Sequence, residues 1–138
     1  MRCEFCHEHV PAADYPAHRA GHEELLPDGQ QQDYTSLPPE RRVQGSLEGV
    51  PRVYVHLGCG GATVMQDKII RSYLRDPFMY DDAAFCTGCG LHRPDREFVW
   101  RETGENLHGY MQRLRARAAP GLAGLLRRVF RRLRSQFG

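Results

Sequence analysis

Residues 1–26 read MRCEFCHEHVPAADYPAHRAGHEELL, and they decide how the N-terminal region folds. Cys3 and Cys6 are three apart, so a turn brings two thiolates to one side. His18 and His22 are four apart, so a helix presents both imidazoles on one face. Together they offer two pairs of metal-binding side chains. His7 and His9 are spare, and either can substitute if the loop folds differently. Val10 and Tyr15 are the expected small core of such a unit. Pro16 belongs in the first turn of the helix, where its missing N–H is tolerated.

A second set of Cys and His lies further along. Cys86-Thr87-Gly88-Cys89-Gly90 is a tight turn with two thiols. The one remaining Cys is Cys59, and His56 stands three residues before it, in His56-Leu57-Gly58-Cys59-Gly60. The two turns have the same shape, so His56, Cys59, Cys86 and Cys89 form a candidate second set. His92 competes with His56 for the fourth position, through Cys86-x-x-Cys89-x-x-His92. A free, buried Cys59 acting as a small apolar side chain is the plain alternative.

Residues 1–26 resemble the two-Cys, two-His zinc fingers. The loop between the two pairs is 11 residues long, against about twelve in the family pattern. The family's usual Phe and Leu are Val10 and Tyr15 here. The resemblance implies Cys3, Cys6, His18 and His22 as zinc ligands. Residues 52–101 resemble a zinc ribbon or treble-clef-like unit in which one Cys is replaced by His. A helix is inserted between the two Cys turns, in a gap of 26 residues. Two zinc ions are expected. With four protein ligands each, both sites read as structural, since catalytic zinc keeps a position open for water.

Composition frames these motifs. Only 29 of 138 residues are Leu, Ile, Val or Phe. A core this thin is marginal without staples, and the Cys and His are the candidate staples. No apolar run approaches the ~20 residues of a membrane span. The N-terminus lacks the apolar stretch of a secretory signal, and paired C-x-x-C turns then read as metal binding, not disulfides. No metalloprotease, serine-hydrolase, phosphate-loop or dinucleotide motif is present. Asp81-Asp82, Glu102 and Glu105 read as solvated turn charges, and Phe98 and Trp100 as a half-buried strand. His108 reads as a surface or interface residue.

Charge is unevenly distributed. Residues 1–33 carry a net −5, residues 34–105 a net −1 and residues 106–138 a net +8. The acidic N-terminal finger argues against DNA reading, which relies on Lys and Arg neutralising phosphates. Residues 121–138, GLAGLLRRVFRRLRSQFG, place seven apolar residues from Leu122 to Phe137 at helical spacing. Arg127, Arg128, Arg131, Arg132 and Arg134 fall largely on the other faces, which makes a basic amphipathic helix. Four uses compete for it: packing on the protein's own units, a protein partner or homo-oligomer, an anionic membrane surface, and nucleic-acid backbone.

The expected protein is a small, zinc-stabilised α+β chain. It has a zinc finger (1–26), a linker (27–51), a zinc-ribbon-like domain with helices (52–118) and a basic tail helix (119–138). Its expected role is a non-enzymatic adaptor or binding module in the cytoplasm, peripheral to a membrane if the tail engages one. The alternatives are a nucleic-acid-binding or transcription-associated protein, and a zinc-dependent enzyme or sensor.

Overall fold

The computed structural model describes residues 1–118. The tail helix, with Arg127, Arg128, Arg131, Arg132 and Arg134, lies outside the described residues. The described chain is α+β: three α-helices and two small antiparallel sheets.

The first helix, α1 (Tyr15–His22), follows the N-terminal Cys turn and has Pro in its first turn, as the sequence predicts. Its small core differs from the expectation. Phe5 and Val10 are buried, whereas Tyr15 is only half-buried. Phe5 packs against the ring of His22 at 5.2 Å, with the Arg19 guanidinium over its face. Phe5 lies between Cys3 and Cys6, so the turn that presents the thiols also presents its own apolar plug.

The remainder is built around strands β1 (Val53–His56), β2 (Ala62–Val64) and β5 (Phe98–Trp100), in the order β2-β1-β5. Along β1, alternation sends Tyr54 and His56 inward, as a period of two requires. Tyr54 pairs with Trp100 and His56 with Phe98. A hairpin of β3 (Ala83–Cys86) and β4 (Leu91–Pro94) forms the second sheet.

Helix α2 (Asp67–Arg75) turns Ile70 and Tyr73 into the core. Gln66 occupies its N-cap position without a side-chain bond, and Asp67 in the first turn pairs with Arg52. Helix α3 (Leu107–Ala118) is capped by Asn106, whose Oδ1 accepts from the amides of His108 and Gly109. Leu107, Tyr110 and Met111 close the core from that side.

Trp100 and Phe98 sit at its centre with no exposure at all, deeper than a half-buried strand. Three perpendicular ring contacts connect Tyr54 to Phe98 and Trp100, and Trp100 to Tyr110. Aromatic rings bury large areas per residue, so a few of them stand in for the missing aliphatics.

Residues 27–51 are poor in regular structure but are bound along α2. Leu37 is buried, and its amide donates to Ser72 Oγ at 2.9 Å. Val43 exchanges hydrogen bonds with Arg71, and the Tyr80 hydroxyl donates to the carbonyl of Thr35. Backbone polar groups must be satisfied wherever a chain is buried, and here α2 and its flanks supply the partners.

Candidate metal centres

Three turns of the same shape carry the candidate ligands. In each, the amide of the residue after the second ligand donates to the carbonyl of the first. The bonds run from His7 to Cys3, Gly60 to His56 and Gly90 to Cys86, all at 2.8 Å. In each, that donor residue adopts the left-handed conformation: His7 at φ 65°, Gly60 at 73° and Gly90 at 74°. Glycine enters this region freely, whereas a side chain costs energy there. His7 is the one non-glycine residue with positive φ among the described residues.

The first turn meets α1. The candidate ligand atoms of Cys3, Cys6, His18 and His22 all lie within 4.8 Å of one another. Cys6 Sγ is 3.3 Å from His18 Nε2, which is 3.1 Å from His22 Nε2. The second and third turns meet tip to tip. They gather His56, Cys59, Cys86 and Cys89 within the same limit. Cys59 Sγ is 3.5 Å from Cys86 Sγ, and Cys89 Sγ is 3.5 Å from His56 Nδ1. A tetrahedral zinc with ~2.3 Å bonds to sulfur and ~2.0–2.1 Å bonds to nitrogen has edges of roughly 3.8, 3.5 and 3.3 Å for S–S, S–N and N–N. The four separations above, 3.1–3.5 Å, lie at or slightly inside these edges. Soft sulfur and imidazole donors in this number suit zinc, so both clusters could hold such an ion.

His92 is not part of the second cluster. It stands opposite Phe85 in the β3–β4 ladder, and Cys86 stands opposite Leu91. Neighbours along a strand point to opposite faces, so His92 turns away with Phe85. Its ring packs on Phe85 and Tyr34 instead. His7 and His9 are likewise outside the first cluster.

Each cluster has an outer carboxylate that sequence reasoning missed. His22 Nδ1 lies 2.8 Å from Asp33 Oδ2, and His56 Nε2 lies 2.8 Å from Glu97 Oε1. The other nitrogen of each ring faces the cluster. Such carboxylates fix the tautomer and orientation of a ligating imidazole. Asp33 also pairs with Lys68 on α2, which ties the first cluster to the body of the protein. Glu97 is shared with Arg93. Its partners His56 and Arg93 hold its carboxyl below the usual range. Only a contact map could have found either residue, because Asp33 is eleven residues from His22 and Glu97 is forty-one from His56.

Backbone amides also point at sulfur. Gly61 N and Cys89 N lie 3.3 Å from Cys59 Sγ and Cys86 Sγ. The Gly61 amide, with His56 and Cys86, lowers the Cys59 thiol to about 7. Desolvation and the neighbouring thiols push Cys89 up to about 11. Close packing of the turn tips requires glycine. A Cβ on Gly88 would lie 2.7 Å from Cys59 Sγ, and one on Gly61 would lie 2.9 Å from the Gly88 Cα.

A third group, Asp82, Asp95 and His108, is a different kind of cluster. His108 Nδ1 pairs with the buried Asp95, and the Arg115 guanidinium, itself buried, pairs with Asp82. The Arg115 cation answers Asp82, and His108 Nδ1 stands within hydrogen-bond reach of Asp95. They brace α3 against the β3–β4 hairpin. Glu102 and Glu105 are also engaged and not simply solvated. Glu102 accepts from the amides of Arg52 and Val53, and Glu105 pairs with Arg113.

The fold and its clusters define a small α+β chain with two four-residue Cys/His centres. Comparison with protein-family models, with curated proteins and with solved structures returns no match. No helix among the described residues is long and apolar enough to cross a membrane.

Proposed function

We propose that the protein is a zinc-binding, non-enzymatic binding module with two structural sites. Cys3, Cys6, His18 and His22 ligate the first ion, and His56, Cys59, Cys86 and Cys89 the second. The supporting observation is the paired design. Two separate groups of four donors each gather within 4.8 Å, and each has a carboxylate behind a candidate imidazole ligand. Four protein donors per ion leave no position for a substrate or an activated water, so the reading assigns the metal to stability. Recognition then belongs to the surface. Residues 119–138 present a basic, amphipathic sequence for a protein partner, with anionic lipid and nucleic acid as competing targets.

The test is metal stoichiometry by native mass spectrometry on the intact chain and on Cys3→Ser and Cys59→Ser. Two retained zinc ions, with one lost in each variant, is the expected result. A single ion, or a second that exchanges readily with a chelator, would favour the zinc enzyme or sensor. Salt-dependent nucleic-acid binding abolished by Ala at Arg127, Arg128, Arg131 and Arg132 would favour the nucleic-acid reading. Binding that scales with anionic lipid would favour membrane tethering.

A further inference from the structure

A cavity of about 150 Å³ opens between α2, α3 and the two sheets. Protein interiors normally close voids of this size, and this one is not lined at random. Tyr54, Tyr73 and Trp100 form its buried floor, and the partly exposed Tyr34, Tyr80 and Phe85 stand toward its mouth. The planes of Tyr54 and Trp100 meet at 89°, so adjoining walls stand at right angles. None of the eight candidate metal ligands lines it.

Charge in the lining has one sign. Asp81 and Asp95 contribute carboxylates, and no Lys or Arg lines the cavity. Asp81 is exposed at the mouth and makes no ion pair among the described residues. Asp95 is only 3% exposed, and His108 Nδ1 is its 2.9 Å neighbour. Burial raises the Asp95 carboxyl above its ordinary range, which an added cation would relieve. Six aromatic residues with two acidic residues, no Lys or Arg, and His92 as the one imidazole beside Tyr34 and Phe85 form the environment that stabilises a large, weakly hydrated organic cation. A metal ion or a primary ammonium would give up more hydration than these walls return.

We propose that this cavity binds a methylated ammonium group, with the aromatic walls around its methyls and Asp81 and Asp95 supplying the negative field. The group has two possible sources, a free choline-like molecule or a trimethylated lysine side chain of another protein.

Trp100 is the single tryptophan of the chain, so its emission reports on the cavity floor. The zinc-loaded full chain is titrated with choline, with 3,3-dimethylbutan-1-ol as its neutral isostere, and with a short peptide carrying one trimethyllysine. Saturable change with choline, with the isostere about tenfold weaker, is the expected result. Asp81→Asn and Tyr34→Leu should each weaken choline about fivefold, and both lie at the mouth, away from the packed floor. A peptide that binds more tightly than choline identifies the source as a protein, and the reverse order identifies a free ligand. Equal binding of the isostere would overturn the proposal. So would displacement of choline by phenol, a neutral ligand suited to Trp100 Nε1 and the Tyr73 hydroxyl, two donors that lack hydrogen-bond partners. Absence of saturable change, together with an unmoved Trp100 indole resonance in NMR, would also overturn it, whatever the variants do to folding.

Discussion

The two Cys/His clusters use the same chemistry and are closed in different ways. The first is complete within 20 residues, from Cys3 to His22, because one turn and one helix supply all four side chains. The second spans 34 residues, from His56 to Cys89, and joins two turns on two different sheets. A site of the first kind needs little beyond local structure. A site of the second kind exists only if β1 and β3 are already placed.

The largest expected effect separates the two. Cys59→Ser should unfold or loosen the body of the protein, with faster hydrogen exchange across β1, β3 and β5. Cys3→Ser should raise exchange mainly in residues 1–33. A structural zinc in a small unit is worth many kcal/mol, about 10 or more in isolated finger peptides. Equal and global loss in both variants would break the contrast between a local and a tertiary site.

A smaller effect tests the meeting of the turn tips. Gly88→Ala places a Cβ against Cys59 Sγ and the backbone of Gly61. We expect a loss of about 1–3 kcal/mol, typical of overpacking. It should accompany weaker retention of the second zinc and unchanged retention of the first, read by chelator competition.

The outer carboxylates come next. Asp33→Asn and Glu97→Gln should each weaken zinc at their own site by about 10–100-fold. Asp33 is the better shielded of the two, with its side chain 16% exposed against 32% for Glu97. Its variant should therefore show the larger loss and the weaker salt dependence. A loss at both sites from one variant would show that the clusters are coupled through Lys68 and α2.

The smallest effect compares the three turns. His7→Gly should stabilise the chain by about 0.5–1 kcal/mol, because glycine accepts the positive φ without strain. Gly60→Ala and Gly90→Ala should each cost about 1–2 kcal/mol, since a Cβ at either position meets nothing within 4 Å and only conformation changes. Thermal melts of the zinc-loaded proteins measure all three. A destabilised His7→Gly would show that the imidazole, packed near Ser36, contributes more than its backbone costs.

The local pieces were legible because their signals are local. Pairs of candidate ligands at fixed spacing and Pro16 in a first helical turn each need only a few neighbouring residues to be read. So do the turns themselves, whose Gly60 and Gly90 follow the second ligand. Tyr15, expected in the core, is only half-buried, and Phe5 from inside the Cys turn packs against His22 in its place. The choice of His56 over His92 came from sheet register, because a one-residue step along β4 reverses the face.

By itself, the sequence determined which residues could bear metal chemistry, where the turns that carry them fall, and that the core must be small. Only the tertiary structure decided the rest. It brought Asp33 and Glu97 behind the imidazoles, closed the second cluster from two sheets, buried Trp100 completely, and left an aromatic, acid-lined cavity beside it. Those features depend on pairs of residues far apart in the chain. Their proximity is set by packing of whole elements, a many-body outcome that no local spacing records.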